Sequence, residues 1–366
     1  MGTAPYIDTS RPSKWYEMKI CYLSGGQNVP TVRFRLPFFD LLRDRGHVCH
    51  VFHAYPSRYD YYPWIGWKAS QALRKAIRNW HLLRIRTGGY DTVVLETGLF
   101  HTNDFSYEKR LRSVASRLVF EIDDAVFLLF PEKCEYLAKM ADHVIAGNEA
   151  LATWARNYNS QVSIVSTCVD ERLYIPKDYE LKQEVARPIV GWIGSSGNVP
   201  MLSIPAAALR KLATKIDFEL RVITSQNHRL SEVDLAGVNV KWIDINLCDV
   251  VGEIHKLDIG IMPLSPDDPW MQYKCNAKMI QYMAVGLPAI GSAVGFNFEL
   301  ISNSANGMLA ANVNEWEHNL RQLLESPSLR RTVGEAGRRS VIERFTVQSQ
   351  IVLYERILDG TEQIKS

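Results

Sequence analysis

No apolar run in this chain reaches the roughly 18 residues that a membrane-spanning helix needs. Cysteine is scarce and scattered: the six in 366 residues stand at positions 21, 49, 134, 168, 248 and 275, with no Cys-x-x-Cys pair. They read as reduced thiols of a cytosolic protein, and no secretory signal is found. A large charge of one sign is also missing. The net charge of +2 gives no global electrostatic case for a nucleic-acid partner. What remains is ordinary globular composition, 46% apolar and 22% charged, over a length that suits two domains with substantial cores. Residues 1–17 are polar, hold two prolines and precede the first strand, so they read as an extension or tail, to which no targeting role is assigned.

The order of elements is informative. Met18 to Leu23 predicts a strand that ends in Ser24-Gly25-Gly26. A helix over Leu36 to Arg45 and a strand over Val48 to His53 follow. Strand, glycine loop, helix, strand is a Rossmann-like opening. Further buried strands are expected at 92–96, 118–122, 143–146 and 162–165. The stretch 169–181 has little periodicity and reads as a linker. The same grammar then restarts at Pro188 to Ile193, followed by Gly194-Ser195-Ser196-Gly197-Asn198. The expected fold is α/β, two doubly wound Rossmann-like domains (18–168 and 182–344) facing a cleft. Helices are expected at 316–324 and 329–337, with glycines at 334 and 337. A last helix, within 345–366, is placed to cross back onto the first domain.

Chemistry concentrates late in the chain. In Lys274-Cys275-Asn276-Ala277-Lys278-Met279-Ile280-Gln281-Tyr282-Met283-Ala284-Val285-Gly286-Leu287-Pro288 the apolar spacing is helical and Gly286-Leu287-Pro288 stops it. Lys274, Lys278 and Gln281 then share one face. A helix opening with two lysines and free backbone N–H groups is a seat for a diphosphate. The plain alternative is a solvated lysine face.

This segment resembles the nucleotide-sugar signature of GT-B glycosyltransferases, in particular family 4. Many members carry Glu-x7-Glu before Ala-Met-Ala-x-Gly-x-Pro. Here those glutamate positions hold Tyr273 and Gln281. The chain is closer to a branch reading Lys-Cys-x-x-Lys-x-x-Gln-Tyr-Met-Ala-x-Gly-x-Pro. The resemblance implies a retaining, metal-independent transfer of a sugar from a nucleoside diphosphate to a glycan or lipid-linked acceptor, with no cofactor. The setting it implies is cell-surface polysaccharide or glycolipid assembly. It places the donor in the second half, with Lys278 and Lys274 on the phosphates and Gln281 on the ribose. An epimerase on the same fold and a non-catalytic relative that binds a glycan or partner protein are the rival readings.

Other candidates are single residues. Gly194 and Ser195 offer N–H and hydroxyl donors to an anion, and Asn297 lies in the glycine loop after the signature. Asp267 and Asp268, between prolines, read as a polar loop rather than a metal site. On the acceptor side, Arg33 and Arg35 follow the first glycine loop and suit an anionic group, or simply start a helix. Asp123 and Asp124 end a strand at the cleft, where carboxylates orient or deprotonate hydroxyls; a helix N-cap is the alternative. Asn148 faces the same cleft. Residues 64–86 hold six basic residues, no acid and three tryptophans, a pattern for an anionic membrane surface at the cytoplasmic face. A solvated surface helix is the alternative.

Overall fold

The apolar runs become the strands of two parallel sheets, six in each among the described residues. The computed structural model describes residues 17–27, 29–58, 60–179, 187–302 and 305–362. The extension expected over 1–17 lies outside them except for Glu17, as do the last two residues of the expected linker.

The first sheet is built from β1 (Lys19–Ser24), β2 (Val48–His53), β3 (Thr92–Glu96), β4 (Leu118–Ile122), β5 (His143–Ala146) and β6 (Val162–Ile164). The second holds β7 (Ile189–Ile193), β8 (Glu219–Thr224), β9 (Asn239–Asp244), β10 (Ile259–Met262), β11 (Ala289–Ser292) and β12 (Met308–Ala310). Central strands such as β4 (LVFEI) are buried along their whole length, as strands covered on both faces must be. The helices of the first half are α1 (Pro30–Asp44), α2 (Gly66–Gly88), α3 (Ser106–Val114), α4 (Pro131–Met140) and α5 (Glu149–Arg156). Those of the second are α6 (Ser203–Ala213), α7 (Val250–Lys256), α8 (Ala277–Ala284), α9 (Asn297–Leu300), α10 (Val313–Glu325), α11 (Pro327–Arg344) and α12 (Val347–Asp359).

Strand order places the site. The first sheet runs β2-β1-β3-β4-β5-β6 and the second β12-β11-β10-β7-β8-β9. Each therefore reverses direction of growth beside its first strand, between β1 and β3 and between β7 and β10. Ligands of open α/β sheets bind beyond the carboxyl ends of the strands at such a point. In the second sheet the loops there are 194–198 and 263–276, the latter leading into α8.

α12 returns to the first sheet. Ile351, Tyr354, Ile357 and Leu358 are buried with Ile20, Tyr22, Phe38 and Phe39, and Tyr354 meets the Phe38 ring at 4.7 Å. Each such side chain is worth about 1.5–3 kcal/mol, so tertiary packing, not helix propensity, fixes this helix. The buried Glu355 carboxylate adds bonds to Arg45 (2.7 Å) and His47 (2.7 Å).

Three sequence expectations are corrected. α1 starts at Pro30, six residues before Leu36, because proline suits a first turn, and this puts Arg33 and Arg35 on the helix. α8 starts at Ala277, since Asn276 is left-handed (φ 44°), and Lys274 therefore precedes the helix. α11 runs through Gly334 and Gly337 to Arg344 instead of breaking there. The glycine serves packing: a Cβ at Gly334 would lie 1.9 Å from the Gly286 carbonyl oxygen and 2.5 Å from the Tyr179 hydroxyl. Both Gly334 and the turn after α8 are thereby held at contact.

In an exposed helix Gly→Ala stabilises by about 1 kcal/mol. Gly334→Ala is expected to do the reverse, losing about 1–3 kcal/mol through overpacking against a backbone that cannot yield. Denaturant unfolding with an unchanged m-value checks it; a stabilised variant contradicts it.

Candidate active site

Lys278 stands at the second position of α8, at the switch point of the second sheet. Its ammonium donates to Gln281 Oε1 at 3.0 Å. Gln281 is fully buried, and its amide nitrogen donates to the Tyr174 hydroxyl. Among the described residues no carboxylate pairs with Lys278. Burial, then the like charges of Arg33 and Lys274, pulls the Lys278 ammonium down to about 8 from its ordinary 10.5. Arg33 is exposed on α1 of the first half. Three cations thus converge from both sides of the cleft, and a diphosphate is the kind of group that such a cluster fits.

The loop ahead of α8 sets this geometry. Asp268 caps a 3-10 turn at Pro269–Gln272 by accepting from the Trp270 N–H (2.9 Å). Asn276 is left-handed and 1% exposed, and its amide donates to Asn297 Oδ1 at 2.7 Å. Asn297 in turn donates to the Ser292 carbonyl (2.8 Å). As placed, Asn297 is an interior fastener of the loop, not a side chain offered to a sugar. Gln281 likewise holds Lys278 and presents no edge to a ribose. The Gly194 N–H is spent on the Ile223 carbonyl (3.2 Å), so it is not available to an anion. Ser195 is exposed at the mouth of the same loop.

On the acceptor side the candidates separate. Arg35 is 1% exposed, ion-paired to Glu121, and donates to the carbonyls of Ser166 (3.1 Å) and Val165 (2.8 Å). It is a strut of the core, with no face toward an acceptor. Burial pushes Glu121 up to about 7 against the pull of Arg35. Asn148 is also interior: Oδ1 caps α5 by accepting from the Leu151 N–H (2.9 Å), and Nδ2 donates to the Tyr273 carbonyl (2.8 Å). Asp123 and Asp124 are half-buried at the end of β4, at the cleft. Burial raises the Asp124 carboxyl against the pull of Lys274, and the Trp270 side chain hydrogen-bonds to it.

α2 divides its basic residues by face. Arg74 and Arg78 are buried and clamp loop carbonyls: Arg74 donates to Ser57 (2.7 Å) and Asp60 (2.8 Å), and Arg78 to Ser24 (2.6 Å). Two of the six basic residues are therefore structural. Lys68, Lys75, Arg84 and Arg86 are exposed. So are Trp64, Trp67 and Trp80, at 80%, 60% and 51%.

Sequence reasoning missed Tyr174 and Asn276, and it placed Trp270 in a loop lining the donor site without its hydrogen bond to Asp124. Asn276 left a trace, since asparagine tolerates the left-handed region better than most residues. Tyr174 and Trp270 left none, because their roles depend on partners over 100 residues away.

Residues 187–326 match the family model described as "Glycosyl transferases group 1". The chain is 24% identical over 209 residues to N-acetyl-alpha-D-glucosaminyl L-malate synthase of Bacillus anthracis, a match spanning 54% of this chain and 54% of that protein. Among solved structures, sucrose-phosphate synthase from Thermosynechococcus elongatus superposes with a TM-score of 0.70 at 15% identity, covering 93% of this chain and 98% of the other. HepE of Anabaena, solved in complex with UDP-glucose, gives 0.67 at 16% identity, covering 94% and 100%. The fold is GT-B, and its second half carries the segment that matches the group 1 glycosyl transferases.

Proposed function

We propose that the protein is a glycosyltransferase that moves a sugar from a UDP-sugar to an acceptor hydroxyl with retention of configuration. The convergence of Arg33, Lys274 and Lys278 carries this reading. Three cations held together without a carboxylate on Lys278 are stabilised by an anion of two or more charges. The nucleoside diphosphate of a donor is such an anion, and the second half matches the group 1 glycosyl transferases.

The bond from the anomeric carbon to the diphosphate breaks and one to the acceptor oxygen forms; the hydroxyl proton leaves to the departing phosphate. Charge develops most on that leaving group, so Lys278 and Lys274 act where electrostatic stabilisation counts most. They supply the neutralisation that a metal gives elsewhere. Ser195 lines the donor mouth, and Asp123 and Asp124 orient the acceptor. Gln281 acts through Lys278, fixing its ammonium.

The acceptor is a glycan or lipid-linked molecule, met at an anionic membrane face. No helix among the described residues is long and apolar enough to cross a membrane. On α2, however, Ala69, Ala72, Leu73, Ala76, Trp80 and Leu83 form one exposed stripe. Lys68, Lys75 and Arg86 lie along one edge and Arg84 along the other, and residues 61–90 contain no acid. That is the charge and shape of a helix lying in a lipid interface.

UDP at 100 times its dissociation constant is expected to add about 2.7 kcal/mol of stability, and Lys278→Ala to remove the effect. Uridine is expected to give none. Turnover of UDP-sugars by Lys278→Ala should fall by about 100-fold or more. A wild type indifferent to UDP, GDP and ADP contradicts the reading.

Vesicles with anionic phospholipid are expected to bind the protein, and neutral vesicles not to. Each basic residue near the surface contributes about 1 kcal/mol, so Lys75→Gln with Arg84→Gln should weaken binding roughly 30-fold. UDP affinity should stay as it is. Equal binding to neutral vesicles contradicts the membrane role.

A further inference from the structure

The segment just ahead of Lys278 belongs to the donor half by sequence but to the acceptor half by packing. Cys275 is buried in the first-half core with Ile122, Val126 and Ala146, and Trp270 and Tyr273 pack at the edge of that cluster. The Tyr273 ring meets Phe127 edge-on at 4.9 Å, and Phe127 stacks on Trp154 at 4.4 Å. Asn148 reaches across with both amide hydrogens, to the Tyr273 carbonyl (2.8 Å) and the Cys275 sulfur (3.5 Å). Gly147 completes the seat. A Cβ there would stand 2.4 Å from Cys275 Sγ, so only glycine lets the sulfur in. A second cross-cleft contact lies nearby, where the Glu149 backbone N–H hydrogen-bonds to the Glu299 carboxylate.

Between Cys275 and Lys278 stand only Asn276 and Ala277, and Asn276 is locked by Asn297 in the left-handed region. Lys274 directly precedes Cys275 and faces Asp124 of the acceptor half. The positions of both lysines are therefore measured from the ends of β4 and β5. Displacement of Cys275 from its seat by an ångström is transmitted through a two-residue, rigid connection.

We infer that Gly147, Asn148 and Cys275 are positioning residues: a clasp across the cleft by which the acceptor half holds Lys274 and Lys278 in place for the donor diphosphate. This inference rests on the glycosyltransferase reading of the same site. Nucleotide binding and closure of the clasp are thermodynamically linked: nucleotide favours the closed clasp by the same factor by which closure raises nucleotide affinity, and affinity falls as the closed fraction falls.

A size-swap series tests it, with UDP affinity measured by calorimetry. Gly147→Ala sets a methyl against the sulfur and is expected to weaken UDP binding about tenfold. Gly147 carries no left-handed backbone angle, so alanine itself brings no strain. Gly147→Ala combined with Cys275→Ala removes the sulfur and is expected to recover most of the loss. Asn148→Ser keeps a good cap on α5 but loses the donor to Tyr273, and is expected to weaken UDP several-fold while the protein stays folded, its melting midpoint lowered only by the loss of one buried hydrogen bond. This variant decides the matter if Gly147→Ala does not fold. Gly147→Ala or Asn148→Ser binding UDP as tightly as wild type overturns the clasp alone, as does a double variant without recovery. A wild type that binds no nucleoside diphosphate overturns the glycosyltransferase reading and the clasp together.

Discussion

An ammonium group partly withdrawn from water, and within the field of two other cations, is unstable unless an anion joins them. That constraint, at Lys278, organises the rest of the molecule. A shift of its proton affinity from 10.5 to about 8 corresponds to roughly 3 kcal/mol of unfavourable interaction at neutral pH. Losses of that size are a large fraction of a typical folding free energy. The fold carries it because Gln281 and Tyr174 hold Lys278 from beneath and the apolar faces of α8 are fully buried.

The neighbouring structure keeps the charge in place. Gly334 against Gly286 fixes α8 from behind, and Asn276 with Asn297 fixes its start. Cys275, Tyr273 and Asn148 tie the same segment to the opposite domain. α12 returns to α1, the helix that carries Arg33, and buries Tyr354 against Phe38 and Phe39. The cation cluster spans the cleft, and so does the packing that supports it.

Much of this was legible in the sequence. Buried strands announce themselves as short apolar runs, and two repeats of strand, glycine loop and helix define two open sheets with a cleft between. Lys274 and Lys278 stand out because the segment that holds them resembles the nucleotide-sugar signature; their spacing alone leaves a solvated lysine face equally open. The failures share a cause. The resemblance makes Gln281 and Asn297 donor contacts, and Asn148 and Arg35 read as acceptor contacts because polar side chains at a cleft are what ligands need. Polar side chains are equally what a buried loop needs to satisfy its own backbone, and periodicity does not distinguish the two. Glycine was misread in the same way. The expected helix ended at Gly337, whereas α11 runs on to Arg344 and Gly334 within it serves close approach to a carbonyl over 40 residues away.

The central claim is that Lys278 is the seat of a diphosphate. In the ligand-free protein the group titrates near 8, below its unfolded value, so the folded state binds fewer protons between about pH 8 and 10.5 and its stability rises with pH across that window. A bound diphosphate favours the charged form and reverses the shift. Calorimetric titration with UDP at pH 8, repeated in buffers of different ionisation enthalpy, reads the protons directly. The account predicts uptake of about half a proton per UDP bound at pH 8, absent in Lys278→Arg, and turning to release towards pH 6, where the lysine is already charged and the terminal phosphate of UDP loses its own proton to binding. UDP binding without proton uptake at pH 8 would contradict it, because the ammonium would then lie away from the phosphates.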